Sequence, residues 1–189
     1  NDVRFYNTLN SDSTTRTLDT ATTSGWTRFF GAVGGSQALG NITINTSSLS
    51  ATAIKVQGTL AITNAGVGSI TGIISDGDSA AILTKAGSGT LTLSGDNTYT
   101  GATTVSAGLL AITHADALGG TSGATTIADG AALSISGGIT TAAEAITVSG
   151  TGSNNGVIRN TSGNNTYSGA ITLGANSEIQ SNSGTLTLN

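Results

Sequence analysis

The chain has 189 residues, none of them Cys, Pro or Met, with 28 Gly, 8% charged residues and a formal net charge of −4. A single domain is the natural expectation for this length, and the missing cysteines exclude disulfides, thiolate nucleophiles and Cys-based zinc sites. Six Lys and Arg against ten acids cannot neutralise a row of phosphates, and apolar runs of at most four residues fall short of a membrane-spanning helix.

Uncharged polar side chains take up the missing charge: Thr, Ser, Asn and Gly make up 100 of the 189 residues. Short alternating segments recur along the chain in the order Gly58-Thr-Leu-Ala-Ile-Thr63, Gly89-Thr-Leu-Thr-Leu-Ser-Gly95, Gly108-Leu-Leu-Ala-Ile-Thr113, Ala131-Ala-Leu-Ser-Ile-Ser-Gly137 and Gly184-Thr-Leu-Thr-Leu-Asn189. Asn97-Thr-Tyr-Thr-Gly-Ala-Thr-Thr-Val105 likewise returns as Asn165-Thr-Tyr-Ser-Gly-Ala-Ile-Thr-Leu173. Apolar residues at every second position predict strands with one face buried. Frequent Gly and the lack of a 3.6-residue pattern predict almost no helix.

The spacing of equivalent positions predicts how these strands are arranged. Leu93, Ile112, Ile135 and Ile158 are separated by 19, 23 and 23 residues, and Val105, Ile127, Val148 and Leu173 by 22, 21 and 25. Two interleaved ladders sharing one period predict an all-β fold, a single-stranded parallel β-solenoid with about 19–25 residues per coil. Inward Val, Ile, Leu and Ala build a continuous core, and outward Thr and Asn form uncharged ladders between coils. Turns are expected at residues 75–79, 94–97, 119–123 and 153–156, where Gly, Asp, Asn and Ser tolerate positive φ.

Residues 83–105, continuing through Ala107-Gly108 to Ala117-Leu118-Gly119, closely resemble the autotransporter-associated β-strand repeat of secreted passenger domains. Residues 72–77 and 155–160 resemble parts of the same array. Residues 29–35, with Ala38-Leu39 and residues 42–44, are more weakly similar to repeats of very large bacterial surface adhesins. The resemblance divides the chain into residues 1–57, N-terminal coils or an aromatic-rich cap, and residues 58–189, autotransporter-type coils continuous with them. It implies a right-handed β-helix, a Gram-negative-type surface or secreted location, and passage across the outer membrane before folding, a route suited by the absence of cysteine. The chain lacks the aromatic-rich C-terminal barrel of such proteins, stops in mid-repeat and has no initiating Met, so it is expected to be a processed piece of something longer.

Candidate chemistry is sparse. His114, the sole histidine, precedes Asp116 by two positions without a Gly-x-Ser-x-Gly elbow, which reads as a solvated turn rather than a Ser-His-Asp site. Asp76 and Asp78 form a weak calcium candidate in an exposed turn, and Asp129 with Glu144 is a loose carboxylate pair. Asn97, Thr98, Tyr99 and their counterparts Asn165, Thr166, Tyr167 are candidate ladder or self-association positions. Phe5, Tyr6, Trp26, Phe29 and Phe30 gather at the start, either closing the rod's apolar end or forming a carbohydrate or partner patch on Trp26, Phe29 and Phe30. Thr90 with Thr92 and Thr185 with Thr187 give only two flat Thr-x-Thr pairs. No catalytic residue, resident metal or cofactor is assigned.

The expected role is therefore a non-enzymatic, extracellular structural or adhesive rod. Its partners would be a cell-surface glycan or protein, or further copies of itself. A self-assembling filament subunit and, more remotely, a polysaccharide-active solenoid enzyme are the alternatives.

Overall fold

The computed structural model describes residues 1–12, 16–153 and 155–189; of the turn expected at residues 153–156, Asn154 lies outside the described residues. All the regular secondary structure described is β-strand, and the strand pairing is parallel throughout. Two sheets dominate. The first stacks nine strands: Val3–Phe5, Trp26–Phe29, Ser48–Ala51, Val67–Ile70, Thr90–Leu93, Gly108–Ile112, Ala131–Ser136, Ile158–Ser162 and Ile179–Ser181. The second stacks eight: Leu18–Ala21, Ile42–Thr46, Thr59–Asn64, Ile82–Ala86, Thr103–Val105, Thr125–Ile127, Ile146–Gly150 and Ile171–Ser177.

The chain alternates between them, crossing a third, less regular side after each strand of the first sheet. That side holds the pairs Ile54–Val56 with Ile74–Asp76 and Asn165–Tyr167 with Leu186–Leu188, plus single bridges such as Leu9 to Val33. The result is a β-solenoid of about eight turns. Parallel strands need a long crossover, and here the rest of each coil supplies it.

Register follows the alternating pattern. Leu91, Leu110 and Leu133 pair in succession, as do Leu93, Ile112 and Ile135. Val105, Ile127, Val148 and Leu173 form one ladder across the second sheet, as their spacing predicts. The last expected rung of the other ladder is corrected: Ile158 pairs with Leu133, and Ile135 faces Asn160. The coil between these two strands is two residues longer than the one before it, so a constant period of 23 falls short by one inward position; the register shifts again between Ile135 and Ser136.

Inward Leu, Ile and Val are almost completely buried through the middle coils and only partly buried in the first and last, each fully buried one contributing about 1.5–3 kcal/mol of hydrophobic burial. Where coils turn into the first sheet, backbones approach too closely for a side chain. Gly108 has φ +72°, and a Cβ there would lie 2.4 Å from the carbonyl oxygens of both Gly87 and Gly89. In the last coil, Leu173 keeps its register with buried Val148 yet is 59% exposed.

Candidate functional site

On the first sheet, alternation separates the residues of Trp26–Phe29: Thr27 and Phe29 point into the core, while Trp26 and Arg28 point out. Phe30 continues the outward set at 53% exposure. Strand Val3–Phe5 lies in register beneath, with Arg4 opposite Arg28 and Phe5 opposite Phe29. Tyr6, 67% exposed, stacks on Phe30 with ring centres 5.0 Å apart and planes 6° from parallel. Asp2 ties this surface together. Its Oδ2 accepts from Arg4 Nη2 at 2.7 Å and Arg28 Nη1 at 2.8 Å, and its Oδ1 accepts from the Trp26 backbone N–H at 3.0 Å.

Those contacts, the Trp26 amide foremost and then Arg4, hold the Asp2 carboxyl at about 2. Arg28 in turn lies over Trp26, its Cζ 4.4 Å from the ring centre, a cation–π arrangement. The outer face of the first two coils is therefore a pre-set surface of three exposed or half-exposed aromatics and two guanidiniums. The positions next in register, Ser48 and Ser50, carry short hydroxyls. Of the expected patch residues, Trp26 and Phe30 belong to this surface. Phe29 does not: it is 2% exposed and stacks inside on Phe5, with ring centres 4.8 Å apart, because it has the opposite parity in the strand.

The Asn-Thr-Tyr repeats also require correction. Asn97, Tyr99, Asn165 and Tyr167 are buried in the interior, so they cannot touch a neighbouring molecule; Thr98 is exposed and Thr166 half-buried. The asparagines do link coils of one chain, through backbone groups rather than as ladders of like side chains. Asn97 Oδ1 accepts from the Ile74 N–H at 2.8 Å, and its Nδ2 donates to the Ala117 carbonyl at 2.6 Å. Asn165 Oδ1 accepts equivalently from the Ile139 N–H at 2.7 Å. Tyr99 shares a 2.7 Å hydrogen bond with Thr103 Oγ1, and Tyr167 Oη donates to the Glu144 carbonyl at 2.9 Å.

Thr103 and Thr125 point inward too, contrary to a wholly outward Thr set. Thr125 Oγ1 donates to Glu144 Oε1 at 2.5 Å, while Glu144 Oε2 is buried with no hydrogen-bond partner among the described residues. Burial pushes the Glu144 carboxyl up to about 7 and keeps both tyrosines protonated well above their usual range. Lys85, missed by the sequence reading, sits fully buried between Ile62 and Val105. Its Nζ donates to the carbonyls of Ala86, Gly87 and Ala107, and desolvation lowers it to about 8.

The acids that the sequence pairs do not converge. Asp76 spends its oxygens on the fold, accepting from the Ala81 N–H at 2.7 Å and from the Thr100 N–H and hydroxyl at 3.1 and 2.7 Å. Asp78 is exposed, and its amide donates to Gln57 Oε1. Asp129 is exposed while Glu144 is buried, so the two do not face one solvent space. Thr90 and Thr92 are half-buried, and Thr185 and Thr187 exposed. His114 stands 3.9 Å from Asp116 in a partly exposed turn, with Asp96, also missed, close by.

Fold and surface together define a parallel β-solenoid whose hydrogen-bonding amides work inside and which presents three aromatic and two cationic side chains on one outer face of its first coils. Residues 83–112 match the passenger-associated-transport-repeat family: the chain carries an autotransporter passenger repeat. Over 85 residues it is 44% identical to the adhesin BmaC autotransporter of Brucella suis biovar 1 (strain 1330), an alignment covering 44% of this chain. The chain spans only about 2% of that protein's length. No solved structure matches.

Proposed function

We propose that this chain is a non-enzymatic, adhesive segment of a bacterial autotransporter passenger, displayed outside the outer membrane as a stiff rod. The observation that carries the reading is the 44% identity to an adhesin autotransporter. The uninterrupted two-sheet stack, running from Val3–Phe5 to Ile179–Ser181, supports it as a spacer. The outer face formed by Asp2, Arg4, Tyr6, Trp26, Arg28 and Phe30 is the adhesive surface, offering flat apolar rings beside fixed polar forks. That pairing suits a glycan or a polar protein surface.

Self-association would have to use such exposed side chains, since the repeated Asn and Tyr positions are internal. Beads coated with the purified chain, applied to surfaces bearing glycans or matrix proteins, test the reading. Saturable adhesion above albumin-coated controls is expected. Beads that fail to adhere while the soluble chain polymerises would replace adhesion with filament assembly.

A further inference from the structure

Apart from the outer aromatic face, one cluster of ligating side chains stands out. Asp96, His114 and Asp116 each place a ligand atom within 4.8 Å of the others. Asp96 lies just after Thr90–Leu93 and the other two just after Gly108–Ile112, the next strand of the same sheet. The Leu93–Ile112 register brings the two turns together.

Their approach is not left to flexible side chains. Buried Asn97, adjacent to Asp96, grips the coil below through the Ile74 N–H and the 114–117 turn through the Ala117 carbonyl. Its own N–H donates to the Asp116 carbonyl at 3.2 Å, and the Ala117 N–H closes the turn onto the His114 carbonyl. The two turns that carry the carboxylates are thus joined through a buried amide. Among the described residues, no ion pair with Lys or Arg is made by Asp96, His114 or Asp116. Like charges held this close repel, and a cation between them relieves that repulsion.

The third group narrows which cation. The Asp116 N–H donates to His114 Nδ1 at 3.2 Å, which orients the imidazole ring within the turn. One imidazole nitrogen with two carboxylate oxygens is a ligand set for a borderline divalent transition ion, whereas calcium and magnesium prefer all-oxygen sites.

We propose that Asp96, His114 and Asp116 bind a divalent transition-metal ion of the zinc class, stapling two successive coils from outside. Such a staple has the cross-linking role that a disulfide would have in a chain with cysteines. The unfolded chain competes weakly, having one histidine and no cysteine, so binding goes almost wholly into folded-state stability.

The test uses tag-free protein and zinc chloride, followed by calorimetric titration and thermal unfolding. One zinc per chain and a rise in the unfolding midpoint are expected. Affinity should weaken by about tenfold or more in His114→Ala and in Asp96→Asn, turn variants at a half-buried and an exposed position that leave Asn97 in place. Calcium at the same concentration should produce a smaller rise. No binding under a large excess of zinc, unchanged affinity in both variants, or an equal response to calcium would each overturn the proposal.

Discussion

Single residues carry more of this fold than its plain composition suggests. Asn97 is the clearest case, because one buried amide serves the backbones of the coils on either side. Asn97→Ala leaves a buried N–H and a carbonyl unpaired and should cost about 2–4 kcal/mol, measurable in urea unfolding; an unchanged midpoint would mean that water replaces the amide. Alternation made the inward placement legible: Asn97 and Tyr99 share the parity of Leu91 and Leu93, and Lys85 that of Leu83. The general preference of Asn, Thr and Lys for solvent pulled the sequence reading the other way. What alternation could not reveal is the hydrogen bonds that make such burial tolerable, since they join residues some 20 positions apart.

Glu144 gives the residue scale a pH signature. Its carboxyl titrates at about 7 when folded against an ordinary value of 4.5, so the folded chain binds that proton more tightly. Its contribution is therefore complete below pH 4.5 and lost as pH rises through about 7. Unfolding midpoints should fall across that window, and Glu144→Gln should flatten the fall. A Glu144→Gln profile parallel to wild type would show that another group is responsible. Lys85 acts in the opposite sense: its contribution is present above its ordinary 10.5 and lost as pH falls through about 8.

At the scale of the strand, the period-two pattern decides which substitutions matter. Leu110 is fully buried between Leu91 and Leu133, while Val67 on a strand of the same sheet is 62% exposed. Leu110→Ala should cost about 2–5 kcal/mol, and Val67→Ala should stay within about 0.5 kcal/mol. Comparable losses at both positions would contradict the assigned faces. Strand identity, parallel pairing and most rungs were legible because one hydrophobic pattern repeats with a nearly constant offset. The exception, Ile158 against Leu133, follows a coil two residues longer than the one before it, and nothing in a repeat period announces where extra residues enter. The outer aromatic surface was legible only as a cluster; strand parity, applied residue by residue, separates Phe29 from Trp26 and Phe30.

As a whole molecule, about eight coils at a strand spacing of about 4.8 Å make a stack roughly 40 Å long. Each coil packs on its neighbours, so the stack is held by continuous ladders around one buried core. Low charge limits repulsion between such bodies and leaves specificity to the few places where charged and aromatic side chains concentrate. Asp2, Arg4, Tyr6, Trp26, Arg28 and Phe30 form the densest of these, on a sheet whose other outward positions are largely small and neutral.

The most direct test of this assignment is equilibrium binding of wild-type, Trp26→Ala and Asn97→Gln chains to whichever glycan or matrix surface captures the coated beads, with folding checked by circular dichroism. The account predicts that Trp26→Ala folds normally and loses most binding, while any Asn97→Gln chain that folds binds like wild type. Full binding by folded Trp26→Ala would contradict it and place the adhesive surface elsewhere on the rod.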